Sequence, residues 1–143
     1  MLFRSVQIIA GKMGNGKTKF LLDKANVAVA ECKGSIVYLD KDTKSMHELD
    51  NKIRLINVSD YPIRSYNAFI GFLCGIISQD YDLEYVFLDS FLKLAHLEGQ
   101  DVSAALIELE QLGQQYGVSI VLSISMDAQE LPEHAQSKVI VSL

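Results

Sequence analysis

One short run of this 143-residue chain is dense in groups that could handle phosphate: Gly11-Lys12-Met13-Gly14-Asn15-Gly16-Lys17-Thr18. It fits G-x-x-x-x-G-K-[ST] at every fixed position. Each residue type has a physical task. The glycines let the backbone curl until several N–H groups point at one spot, which makes a concavity for an anion. A helix that starts there adds the positive end of its dipole. Lys17 supplies a compact cation for β- and γ-phosphates, and Thr18 offers a hydroxyl to Mg²⁺. The bland reading is a glycine-rich turn with no ligand. An apolar run before it and a helical pattern after it favour the phosphate loop.

A phosphate loop of this kind needs a carboxylate for the Mg²⁺ shell, usually at the end of an apolar strand. Asp89 closes the run Tyr85-Val86-Phe87-Leu88-Asp89 and is the best candidate. Its plain alternative is a helix cap, a task Ser90 could do as well. Asp40 and Asp42 follow another apolar run and stand two apart, so an extended chain points them the same way. Asp42, ahead of Asp40, could orient a water for attack on the γ-phosphate. The alternative is a solvated turn in which either acid caps the next helix. Ser123 and Ser125 end a later apolar run and could sense the γ-phosphate, or could simply begin a loop. His47, His96 and His134 lack metal-ligand spacing. Cys32 and Cys74 form no C-x-x-C pattern and read as buried, reduced thiols.

The elements that must position these groups are legible as alternating strands and helices. Met1–Ala10 runs straight into the loop, with a strand over Ser5–Ala10, and a helix follows over Lys17–Glu31, stopped by Gly34. A second strand covers Ile36–Asp40. Ser45 and Glu48 have capping-box spacing, which predicts a short helix over Met46–Lys52. Ile53–Val58 reads as an edge strand, and Asp60-Tyr61-Pro62 as a turn. A helix is expected over Ser65–Ser78, a strand over Glu84–Asp89, and a partly helical connector over Phe91–Glu98. An amphipathic helix follows over Asp101–Tyr116, closed by Gly117. Val118–Ile124 is a fifth strand, Met126–Gln136 a loop or short helix, and Val139–Val141 a last strand. Strands that are apolar throughout and alternate with helices mean a parallel sheet covered on both faces.

Composition narrows the classes. Hydrophobic residues make up 49% and charged residues 22%, the balance of an ordinary soluble protein. The length suggests one domain over residues 1–143. No apolar run approaches a membrane span and no leader is evident, so a cytoplasmic protein is expected. The net charge is −5 and the basic residues are scattered, which argues against nucleic-acid binding by this chain alone. The chain also lacks an N-K-x-D or T-K-x-D guanine signature, so ATP is the nucleotide expected.

Taken in order, the phosphate loop, Tyr38-Leu39-Asp40-Lys41-Asp42, Glu84–Asp89 and Ser119–Ser125 resemble the RecA-like branch of P-loop ATPases, in a small bacterial-type form. The resemblance spans about residues 5–125. It implies a three-layer α/β P-loop NTPase fold with strand order 6-1-5-4-2-3. It also implies ATP and Mg²⁺ as cofactors, Asp89 as the Mg²⁺ acid, and a catalytic carboxylate just past the second strand. The family places Glu there, where this chain has Asp42, one methylene shorter. The DNA-acting and ring-forming features of the family find no counterpart, since there is no long basic insert and no Arg after Arg64. The expected function is a Mg²⁺-dependent ATPase, a hydrolase, or an ATP-driven switch with a protein partner or a homo-oligomeric form. The alternatives are a nucleotide-dependent binding module with little turnover, and a small-molecule kinase, disfavoured by the absence of an arginine-bearing lid.

Overall fold

The computed structural model describes residues 5–143. Met1–Arg4, which the sequence joins to the first strand, lie outside the described residues. Six strands form one sheet: β1 (Val6–Ala10), β2 (Ser35–Asp40), β3 (Ile53–Asn57), β4 (Leu83–Leu88), β5 (Ser119–Ile124) and β6 (Val139–Ser142). The helices are α1 (Lys17–Glu31), α2 (Tyr66–Ser78), α3 (Phe91–Leu94), α4 (Ser103–Tyr116) and α5 (Glu133–Gln136). The strand order is β3-β2-β4-β5-β1-β6, and every pairing is parallel. This is the expected order read from the other edge.

The apolar strands feed two cores at once, because successive side chains leave opposite faces of a sheet. Ile8, Val37, Leu39, Val86, Leu88, Ile120 and Leu122 pack on one face with α2, α3 and α4. Ile9, Ile36, Tyr38, Phe87 and Val121 pack on the other against Leu21, Leu22, Ala25 and Ala28 of α1. Burying each such side chain contributes on the order of 2 kcal/mol, so the sheet is fixed in register from both sides. The parallel strands all point the same way, and their carboxyl ends carry Ala10, Asp40, Asp89 and Ser123 to one edge of the molecule.

Three local expectations are corrected. Gly34 does not stop α1, which ends at Cys32 in extended backbone with its N–H on the Ala28 carbonyl. Gly34 is there because a Cβ would collide with the Asp82 carbonyl oxygen and the Glu84 carboxylate, to which its own N–H donates. Ser45 caps nothing with its side chain: its backbone (φ −91°, ψ 5°) is not that of an extended N-cap. The predicted Met46–Lys52 helix is accordingly a single 3₁₀ turn over Met46–Glu48. Cys32 and Cys74 are free thiols, but each is half-buried rather than buried. Met126–Gln136 resolves into a 3₁₀ turn, Ala128–Glu130, and the short α5 behind Pro132.

Candidate nucleotide-binding site

The loop between β1 and α1 has the backbone the glycines allow. Gly14 (φ +87°) and Gly16 (φ +83°) are left-handed, a region costly to residues with a Cβ. Space is not the constraint there, since a methyl group at either position would meet nothing within 4 Å. Gly11 differs: a Cβ would come 2.9 Å from that of Leu143, whose N–H donates to the Ala10 carbonyl. Lys12 and Met13 are exposed on the loop, and Lys12 pairs with Asp127 at 3.6 Å. Asn15 is exposed, with its N–H on the Lys12 carbonyl. Lys17 is buried at the first turn of α1, and its ammonium donates to the Lys12 carbonyl at 2.9 Å. Burial holds the Lys17 pKa below the ordinary lysine value, and the Asp89 carboxylate pulls in the opposite direction.

Asp89 is the hub of the site. Only 2% exposed at the end of β4, its carboxylate is ringed by four hydroxyls. Tyr38 donates to Oδ2 at 2.8 Å, while Thr18, Ser123 and Ser90 reach Oδ1 at 3.2, 3.3 and 3.4 Å. Four hydroxyl donors replace the water that an ionised carboxylate would lose on burial. The β4–β5 and β2–β4 registers place these groups together, since Leu88 lies opposite Leu122 and Leu39. Ser123 also accepts from the Ser90 N–H at 2.8 Å. Ser90 sits in left-handed backbone (φ 62°, ψ 60°), unusual for a residue with a Cβ, and turns the chain from β4 into α3.

Lys17, Thr18, Asp89, Ser90 and Ser123 line a cleft of about 390 Å³ together with Gly14, Gly16 and Ser125, and Lys41, Lys93 and Glu98 line it too. The Lys41 ammonium donates to Ser90 Oγ at 3.0 Å. Asp42 does not line the cleft; its carboxylate accepts from the Lys44 N–H at 2.9 Å, closing its own turn. Asp40 is buried at 4% exposure, accepts from the Lys41 N–H, and has its pKa pushed up to about 6 by burial first and by Asp89 second. Tyr38, Lys41, Ser90 and Lys93 were not singled out from the sequence. Tyr38 left one signal, a hydroxyl in an otherwise apolar strand two residues before an acid.

A six-stranded parallel sheet in this order, helices on both faces and a glycine-rich loop between β1 and α1 make this a three-layer P-loop NTPase fold. No family model and no curated protein matches the chain. Among solved structures, it is similar to the crystal structure of flagellar accessory protein FlaH from Methanocaldococcus jannaschii, with a TM-score of 0.55 and 17% identity. That likeness covers 93% of this chain and 65% of the FlaH chain, so this chain spans less than two thirds of the other's length. At this identity the likeness is one of fold. No helix among the described residues is long and apolar enough to cross a membrane.

Proposed function

We propose that the chain binds ATP with Mg²⁺ across Gly11–Thr18 and acts as a Mg²⁺-dependent ATPase or ATP-driven switch of the RecA-like type. The observation that carries this reading is the meeting of Lys17, Thr18 and Asp89 in one cleft, with the Thr18 hydroxyl 3.2 Å from the Asp89 carboxylate. The donor set suits a magnesium triphosphate: loop N–H groups and an ammonium for phosphate oxygens, a hydroxyl and a carboxylate for a hard cation. Lys17 would meet the β- and γ-phosphates, and Thr18 and Asp89 would hold Mg²⁺. The bound cation would supply neutralisation of phosphate charge. Ser123 and Ser125 line the same cleft and would sense the γ-phosphate, and the four-hydroxyl ring would hold the Asp89 carboxylate in place. We further propose one domain over residues 1–143, in the cytoplasm, with a protein partner or a second copy of the chain.

The reading with little turnover is favoured by one specific observation. Asp42, the proposed water-orienting acid, is spent on the Lys44 N–H and stands outside the cleft. Phosphate release from ATP with Mg²⁺, compared with Asp42→Asn, decides between the two. An ATPase gives release above background in the wild type; a fall of about tenfold or more in the variant assigns the water-orienting role to Asp42, and unchanged release takes that role from it. Equal, background-level release from both proteins rejects hydrolysis and leaves the binding switch.

A further inference from the structure

A second cavity of about 390 Å³ abuts the nucleotide cleft, and the two share Lys41 and Lys93. It is built from three connections: the chain after β2, the segment Val58–Arg64 between β3 and α2, and the turn that α3 makes after β4. Its lining brings together Lys41, Arg64, Lys93 and His96, with the Tyr61 ring and Ser59 beside them. No Asp or Glu lines it, although the chain as a whole is acidic. None of the Lys41, Arg64 and Lys93 side chains has a carboxylate partner within salt-bridge distance among the described residues. Acids do stand on the other side of the shared lysines, Asp89 and Glu98 in the nucleotide cleft, but within the second cavity the side-chain charges are all basic, and an anion among them relieves their mutual repulsion.

The backbone around the cavity is tied down at several points. Ser90 and His96 are the two non-glycine residues in left-handed backbone among the described residues, and they bracket α3, the turn that carries Lys93. His96 Nε2 lies 2.8 Å from the Ile63 carbonyl oxygen, tying the end of α3 to the segment that carries Arg64. Ser59 Oγ donates to the Lys41 carbonyl at 2.6 Å, tying the same segment to the β2 connection. Strain of this sort persists only where the surrounding structure holds it, and it concentrates where a chain must present particular groups.

We propose that this cavity is a binding site for a small polyanion, distinct from the phosphate loop and separated from it by the Lys41–Lys93 wall. Its size suits a small molecule bearing two or three phosphate or carboxylate groups. Arg64 is the group best suited to a bidentate grip on either. Binding here rests on the lining of the second cavity alone and does not depend on turnover in the first.

The test is an NMR titration of the Lys17→Ala protein, in which the phosphate loop is disabled. Inorganic pyrophosphate and citrate serve as separate probes, and a single-stranded oligonucleotide as a third. Pyrophosphate shifting the Tyr61, Arg64 and His96 signals identifies a phosphate site, and citrate doing so better identifies a carboxylate site. Either response should weaken about tenfold in Arg64→Ala, the worth of a charge-assisted pair. His96→Asn, which tolerates the left-handed backbone, should weaken it too. Shifts confined to residues 11–18, unchanged affinity in Arg64→Ala, or a response to the oligonucleotide alone would overturn the proposal. Failure of the wild-type protein to bind ATP, with this response intact, would count against the nucleotide reading only.

Discussion

At the residue scale, the site turns on what surrounds each of two buried acids. Asp89 is buried among four hydroxyl donors, whereas Asp40 is buried with one backbone N–H and with Asp89 as a like-charged neighbour. The difference has a measurable consequence. The Asp40 carboxyl titrates near 6 in the folded chain. In the unfolded chain it titrates at about 3.9. Ionising it therefore favours unfolding. The stability tied to its neutral form is full below about pH 4 and is lost as pH rises through about 6. Asp40→Asn keeps an acceptor for the Lys41 N–H and carries no charge. In urea unfolding without nucleotide, the variant should exceed the wild type by about 2 kcal/mol at about pH 7.5 and match it near about pH 4. An advantage that is the same at both pH values would contradict this account of Asp40. Sequence reasoning paired Asp40 with Asp42 as neighbours on one side of an extended chain. It missed that β2 ends between them, so that one acid is buried and the other closes a solvent-facing turn.

At the element scale, long-range register brings the site together, and short connections tune it. The long helices and the apolar strands were legible because periodicity reports which faces are buried, and both faces of this sheet are. The connections were legible only where a local rule decided them. Gly34 shows the limit. A glycine just past a helix has the look of a stop signal, yet its reason lies in β4, fifty residues downstream, whose Glu84 carboxylate and preceding Asp82 carbonyl crowd its Cα. Gly34→Ala should therefore destabilise the fold by about 2–3 kcal/mol, as an overpacked contact against backbone does. Thermal unfolding of that variant would check it. A change within a few tenths of a kcal/mol would return Gly34 to the simpler role. The Ser45–Glu48 spacing failed for a related reason: the motif matches in sequence, but Ser45 is buried and its backbone is already turned.

At the scale of the whole molecule, the strand order places the phosphate loop beside β5 and one strand away from β4, which carries Asp89. Only the family resemblance, and nothing in periodicity, led to that order. The cleft's principal groups, Lys17, Thr18, Asp89 and Ser123, could be named in advance because motif and strand ends point to them. Its remaining wall could not, since Lys41 from the turn after β2 meets Ser90 and Lys93 from the turn after β4 only through the pairing of those two strands. The second cavity was hidden for the same reason. The proposed role of this edge of the sheet is to hold ATP with Mg²⁺ through Lys17. It is met most directly by calorimetric titration of ATP with Mg²⁺ into the wild type and into Lys17→Ala, with GTP and ADP alongside. The wild type should bind, and the variant should lose about tenfold or more in affinity, the scale of one buried charge-assisted contact. Equally tight binding by both proteins would contradict it.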